Sequence, residues 1–65
     1  MKRYKVIEIL RLLLADGWFL QEQHGSHRQF KHPTKKGRVT LRGKDNSVLS
    51  QFELNSIFKQ TGWKK

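Results

Sequence analysis

Trp18-Phe19-Leu20-Gln21-Glu22-Gln23, Ser26-His27-Arg28-Gln29-Phe30-Lys31-His32 and Arg38-Val39-Thr40-Leu41-Arg42 are three short segments separated by two turn signals. The first signal is His24-Gly25, the second Pro33-Thr34-Lys35-Lys36-Gly37, in which Pro33 has no N–H for a ladder and Gly37 is free to adopt positive φ. Alternation within the segments reads as three strands. It sets Trp18, Leu20, Phe30, Val39 and Leu41 on one face, with Arg28 and His32 sharing the side of Phe30. On the other face it sets Phe19, Gln21, Gln23, His27, Gln29, Lys31, Arg38, Thr40 and Arg42. The short connections predict an antiparallel meander.

On either side of the strands the periodicity changes. Val6, Ile9, Leu10, Leu13 and Leu14 form the stripe of an amphipathic helix over about Arg3 to Ala15. Asp16-Gly17 ends it, with Gly17 in a left-handed C′ position and Trp18 folding back on Leu13. After the polar loop Gly43-Lys44-Asp45-Asn46-Ser47, Ser50 and Glu53 have capping-box spacing, flanked by Leu49 and Leu54 as a hydrophobic staple. The helix they open buries Leu54, Ile57 and Phe58 and ends at Gly62, with Trp63 reaching back to Phe58. The order is α-β-β-β-α, an α+β fold. Two helices that each need cover both lie on the apolar sheet face, and the opposite face stays open.

A chain of 65 residues supports one domain, spanning residues 1–65, with a thin core. It has no cysteine, so neither disulfides nor a Cys metal cluster reinforce it, and a reducing compartment suits it. No apolar run is long enough to span a bilayer, and the opening Met1-Lys2-Arg3-Tyr4-Lys5 does not read as a signal peptide. The expected location is cytoplasmic. Fourteen Lys and Arg against five acids give a formal charge of +9, which attracts polyanions: nucleic acid or an acidic protein.

An open sheet face with an aromatic, a histidine and several cations suits RNA, the cations holding phosphates and Phe19 stacking a base. The bland reading is a solvated face whose charges confer solubility and protect the sheet edge. His27 follows a tight turn and has Arg28 as its neighbour in sequence. Imidazole titrates near ~6.5, which allows acid or base work on a phosphodiester, but a lone exposed histidine is a weak signal by itself. A metal site on His24, His27 and His32 is disfavoured, because no Cys assists, Glu22 is on a different strand and His32 shares Phe30's side. His32 is expected to hydrogen-bond at the sheet edge beside Pro33, and Ser26 to support the turn rather than act as a nucleophile. Arg28, Lys31, Lys35 and Lys36 form the densest basic run, suited to phosphates without sequence preference.

Asp16-Gly17-Trp18, Gly25-Ser26-His27, Gln29-Phe30-Lys31-His32-Pro33-Thr34-Lys35-Lys36-Gly37, Val39-Thr40 and Ser56-Ile57-Phe58-Lys59-Gln60-Thr61-Gly62 together resemble the HicA toxin family over nearly the whole chain. The resemblance implies a double-stranded-RNA-binding-domain-like αβββα fold and the toxin of a type II toxin–antitoxin system, an mRNA endoribonuclease. It implies His27 as the catalytic histidine, acting without metal or other cofactor: the ribose 2′-hydroxyl attacks phosphorus, His27 moves a proton and cations stabilise the transition state. Arg28, Gln29, Lys31, Lys35, Lys36, Arg38, Arg42 and Phe19 are the candidate RNA contacts. The implied partner is a HicB-type antitoxin, expected to be acidic and to cover the open face with His27. The chain departs from the pattern at Arg28, where many relatives have a second histidine. It departs again at Leu41-Arg42-Gly43-Lys44, in place of a V-P-H-P-like stretch, and at Ser50-Gln51-Phe52-Glu53, in place of P-x-G-T. The competing readings are a non-catalytic RNA-binding module of the same fold and an adaptor docking an acidic protein.

Overall fold

The computed structural model describes residues 3–63. Its elements are α1 (Val6–Ala15), β1 (Phe19–His24), β2 (His27–Lys31), β3 (Val39–Arg42) and α2 (Gln51–Thr61), and the sheet is antiparallel in the order β1-β2-β3. This is the expected α+β architecture. Val6, Ile9 and Leu13 of α1, Leu54 and Ile57 of α2, and Trp18, Phe30, Val39, Leu41 and Leu49 form one buried cluster. Each large side chain in it stabilises the fold by ~1.5–3 kcal/mol.

The helix ends follow local rules. Trp18 N–H donates to the Leu13 carbonyl at 3.0 Å and Gly17 N–H to Leu14 at 3.1 Å, the double bond of a Schellman motif, with Gly17 at φ 97°. A Cβ on Gly17 would also sit 3.1 Å from His32 Nε2, so a side chain there would press on the His32 ring in addition to straining the backbone. In α2 the Ser50 side chain accepts from Glu53 N–H at 3.1 Å while Glu53 reaches back to Ser50 N–H at 3.2 Å. Gly62 N–H closes the other end on the Phe58 carbonyl at 3.0 Å, and the Trp63 ring meets Phe58 edge-on.

Helix α1 starts at Val6, three residues later than the pattern suggests. Lys5 is held instead in an antiparallel bridge with Val48, and Leu49 N–H donates to the Tyr4 carbonyl. The first amides of α1, on Val6 and Ile7, find the carbonyls of Ser47 and Asp45, both at 2.9 Å, so the β3–α2 loop caps the helix. Leu14, read as part of the buried stripe, is 54% exposed, because the stripe that meets the sheet is only as wide as Val6, Ile9 and Leu13.

Asp16 joins the C-terminal ends of both helices. Its Oδ2 accepts from Trp18 Nε1 at 2.9 Å, Trp63 Nε1 at 3.1 Å and Lys35 Nζ at 2.6 Å. Lys35 also donates to the Thr61 carbonyl at 2.9 Å, placing a cation between two helix C-termini where carbonyl dipoles point. His32 Nε2 donates to the Asp16 carbonyl at 2.7 Å, and its Nδ1 accepts from the backbone N–H groups of Thr34 and Lys35, both at 3.1 Å. The His32 ring stands edge-on to Trp18 at 5.2 Å. Thus His32 does bond at the sheet edge, and the Pro33–Lys36 turn is fastened to the helices through it.

The hydrogen bond from Lys35 lowers the Asp16 pKa from 3.8 to about 2, with Trp63 and Trp18 adding to it and burial opposing. Folding depresses this pKa, so the stabilisation is complete above about pH 5 and is lost as pH falls through about 2. In Asp16→Asn, stability measured by urea unfolding should be lower at neutral pH and should lack that part of the acid-induced loss between about pH 5 and 2. A wild-type-like acid profile in this variant would contradict the assignment.

Candidate functional site

The helices cover β2 and β3 from one side, and among the described residues no element lies on the other face of the sheet. Residues directly opposite each other on neighbouring strands share a face. Three rows follow from the register: His24, His27 and Arg42; then Glu22, Gln29 and Thr40; then Phe19 and Lys31. Arg38 joins this face through Nη1, which donates to Gln29 Oε1 at 3.1 Å. Exposed His27 therefore lies at the end of the face nearest the β1–β2 turn, with a histidine on one side and an arginine on the other.

The first strand differs from simple alternation. Its register shifts between Leu20 and Glu22, an irregularity that takes up Gln21 as an extra residue. Past it the faces exchange: Glu22 and His24 join the open face, where Gln21 and Gln23 were expected, and Gln23 pairs with Arg28 on the reverse side. The turn is Gly25-Ser26, one residue later than the sequence pattern suggested. Gly25 has φ 60° and Ser26 has negative φ, as a two-residue II′ hairpin requires. The Gln23 side-chain amide donates to the Gly25 carbonyl at 3.0 Å and braces the turn. Every β1 residue is exposed, including Leu20 at 46%, because no helix reaches over this edge strand; Leu20 faces the core side without entering the core.

On the open face His24 Nε2 donates to Glu22 Oε2 at 2.6 Å. That bond, reinforced by the charge of His24 and more weakly by Arg38, holds the Glu22 carboxyl below its ordinary range. Sequence reasoning missed both residues as members of the face. The usable signal was the turn itself, since a two-residue Gly25-Ser26 loop sets His24 directly opposite His27 whatever happens further along β1.

The other expected contacts divide. Phe19, Gln29, Lys31, Arg38 and Arg42 accompany His27 on the open face, and Lys36 is exposed in the β2–β3 loop. Lys35 is committed to Asp16 and Thr61. Arg28 points to the reverse side, where Nη2 donates to the Gly43 carbonyl at 3.3 Å and to Asp45 Oδ1 at 3.1 Å. Its Nε is buried without a protein partner. Arg28 thereby holds the same loop that caps α1. Among the described residues no group of three His, Cys, Asp or Glu side chains is arranged to hold a metal, and no helix is long and apolar enough to cross a membrane.

Fold and face together define a small cationic α+β protein that presents one uncovered sheet surface centred on polar and basic side chains. A family model described as "HicA toxin of bacterial toxin-antitoxin" matches residues 7–63, and the chain belongs to that family. Membership places it in a toxin–antitoxin pairing. No curated protein matches the sequence.

Arg28→Ala should cost about 1–3 kcal/mol in denaturant unfolding, since it leaves the Gly43 carbonyl and the α1-capping loop unsupported. Arg42→Ala, on the solvated face, should stay within about 0.5 kcal/mol of wild type. Equal effects from the two would show that Arg28 is not a structural clamp.

Proposed function

We propose that this toxin is a metal-independent endoribonuclease that cleaves mRNA on the open sheet face, with His27 as general acid or base. The observation that carries the reading is the position of His27: exposed, uncovered by any described element and aligned with Arg42, with Lys31 and Arg38 further along the same face and Lys36 exposed in the β2–β3 loop. Cations so spaced can hold successive phosphates, exposed Phe19 offers a surface for a base, and imidazole can exchange a proton near neutral pH. The nucleophile is the ribose 2′-hydroxyl. Its oxygen forms a bond to the adjacent phosphorus while the bond to the 5′ oxygen breaks, giving a 2′,3′-cyclic phosphate and a 5′-hydroxyl end. DNA lacks that nucleophile and is spared. Arg42, opposite His27, is suited to the charge that builds on the phosphoryl oxygens.

The same surface is where an antitoxin would inhibit. An acidic HicB-type antitoxin laid over it would meet the unpaired cations and bury His27 in one contact, blocking RNA by occupancy.

Purified protein and end-labelled single-stranded RNA test the reading. Wild type should cut RNA but not DNA of the same sequence, unaffected by EDTA and weakened by salt. His27→Ala should lose about 10²- to 10⁴-fold in rate with unchanged thermal stability. Intact RNA that is nevertheless bound in a salt-sensitive way would replace the nuclease with a non-catalytic RNA-binding module of the same fold.

A further inference from the structure

RNA transesterification requires two proton transfers. One group accepts the proton of the attacking 2′-hydroxyl, and another supplies a proton to the departing 5′ oxygen. A single imidazole must do both in turn, whereas two imidazoles on opposite sides of the phosphorus can do both in one passage. His27 has a second imidazole beside it. His24 is its direct cross-strand partner on the open face, and directly opposed residues have Cβ atoms ~4.5–5.5 Å apart. The two-residue Gly25-Ser26 turn fixes this pairing, so the two rings cannot slip out of register without remaking the hairpin.

His24 is also oriented. Glu22 lies two residues back on the same strand and so on the same face, and its carboxylate accepts a hydrogen bond from Nε2 at 2.6 Å. A carboxylate in this position sets the tautomer of an imidazole and leaves the other ring nitrogen, Nδ1, to exchange a proton with whatever lies over the sheet. The turn sets Glu22 and His24 on this face, and the bulge at Gln21 acts only beyond them, turning Leu20 to the core side opposite Phe30 and Phe19 to the open face opposite Lys31. Bulges recur next to active sites because they re-aim side chains in this way.

We propose that His24, positioned by Glu22, is a second catalytic residue that shares the two proton transfers with His27, an inference that rests on the ribonuclease reading above. In the step, one imidazole takes the 2′-hydroxyl proton as the oxygen–phosphorus bond forms. The other, entering as imidazolium, gives its proton to the 5′ oxygen as that bond breaks. Each histidine leaves in the opposite protonation state, and exchange with water restores both. Arg42, on the far side of His27 in the same row, carries charge and not protons.

The test uses the whole chain, single-stranded RNA and single-turnover rates across pH. His24→Ala should lower the maximal rate by about 10²- to 10⁴-fold with little change in the RNA concentration giving half-maximal rate, and should remove one limb of the pH–rate profile. The charged and titratable groups on the face around His24 are Glu22 on its own strand, His27 on β2, and Arg42 and Arg38 beyond, so the lost limb is read against His27→Ala and Arg42→Ala. Glu22→Gln should give an intermediate loss with the profile displaced, as expected of a positioning residue. Glu22, His24, His27 and Arg42 are all exposed and outside the core, and the variants should unfold at the wild-type temperature. If His24→Ala cleaves within about threefold of wild type while His27→Ala is inactive, the two-histidine proposal is overturned and the ribonuclease reading stands. If wild type itself leaves RNA intact, both fall.

Discussion

One carboxylate oxygen, Asp16 Oδ2, receives three N–H donors from parts of the chain far apart in sequence: Trp18 beside it, Lys35 in the β2–β3 loop and Trp63 after α2. A carboxylate at a helix C-terminus is electrostatically misplaced, since the helix dipole is negative there. The Lys35 ammonium reverses the balance, because it neutralises Asp16 and at the same time satisfies the Thr61 carbonyl at the end of the second helix. The buried cluster holds both helices on one side of the sheet, and the Asp16 junction ties their C-terminal ends together there. Both helix ends and the long loop are tied at one point on this side, and no described element covers the opposite face.

A second charged contact completes the frame at the other end. Arg28 reaches from β2 to Asp45 and Gly43, and the carbonyls of Asp45 and Ser47 cap the first turn of α1. The chain thus uses Asp16, Arg28, His32 and Lys35 in joining sheet to helices. The basic run is consequently two populations interleaved in sequence: Arg28 and Lys35 are neutralised within the fold, while Lys31, Lys36, Arg38 and Arg42 supply the charge of the surface. Strand β1 lies outside both ties. Within the sheet it pairs with β2 at the edge, and that peripheral position leaves Glu22 and His24 accessible.

Features governed by near neighbours were legible in the sequence. Gly17-Trp18, Ser50 with Glu53, the Val39/Leu41 alternation and the Gly62-Trp63 ending each follow from rules acting over five residues or fewer, and the structure has all of them. The Asp16 junction spans 19 and 47 residues in sequence, and no local rule anticipates that a helix-capping aspartate will be the acceptor for two indoles. The bulge defeated strand parity for a different reason. Alternation counted forward from Trp18 fails at the first irregularity, whereas pairing counted outward from the Gly25-Ser26 turn is fixed by loop length. His27 was placed correctly because β2 has no irregularity before it; Glu22 and His24 were not because they lie past one.

The same parity gives the departures from the family pattern unequal weight. Whatever occupies position 28 points to the reverse side of β2, opposite Leu41 and away from His27, so the arginine there changes how the β3–α2 loop is held and not the composition of the open face. Position 42 is the direct partner of His27, and there the arginine alters the row itself. A guanidinium beside an imidazole brings a permanent charge and a planar fork of donors to a point where a phosphate would rest, whereas a neutral side chain brings neither. The departure that bears on the proposed chemistry is therefore the one at Arg42, one strand across from His27, with His24 completing the row on its other side and Glu22 in the next row.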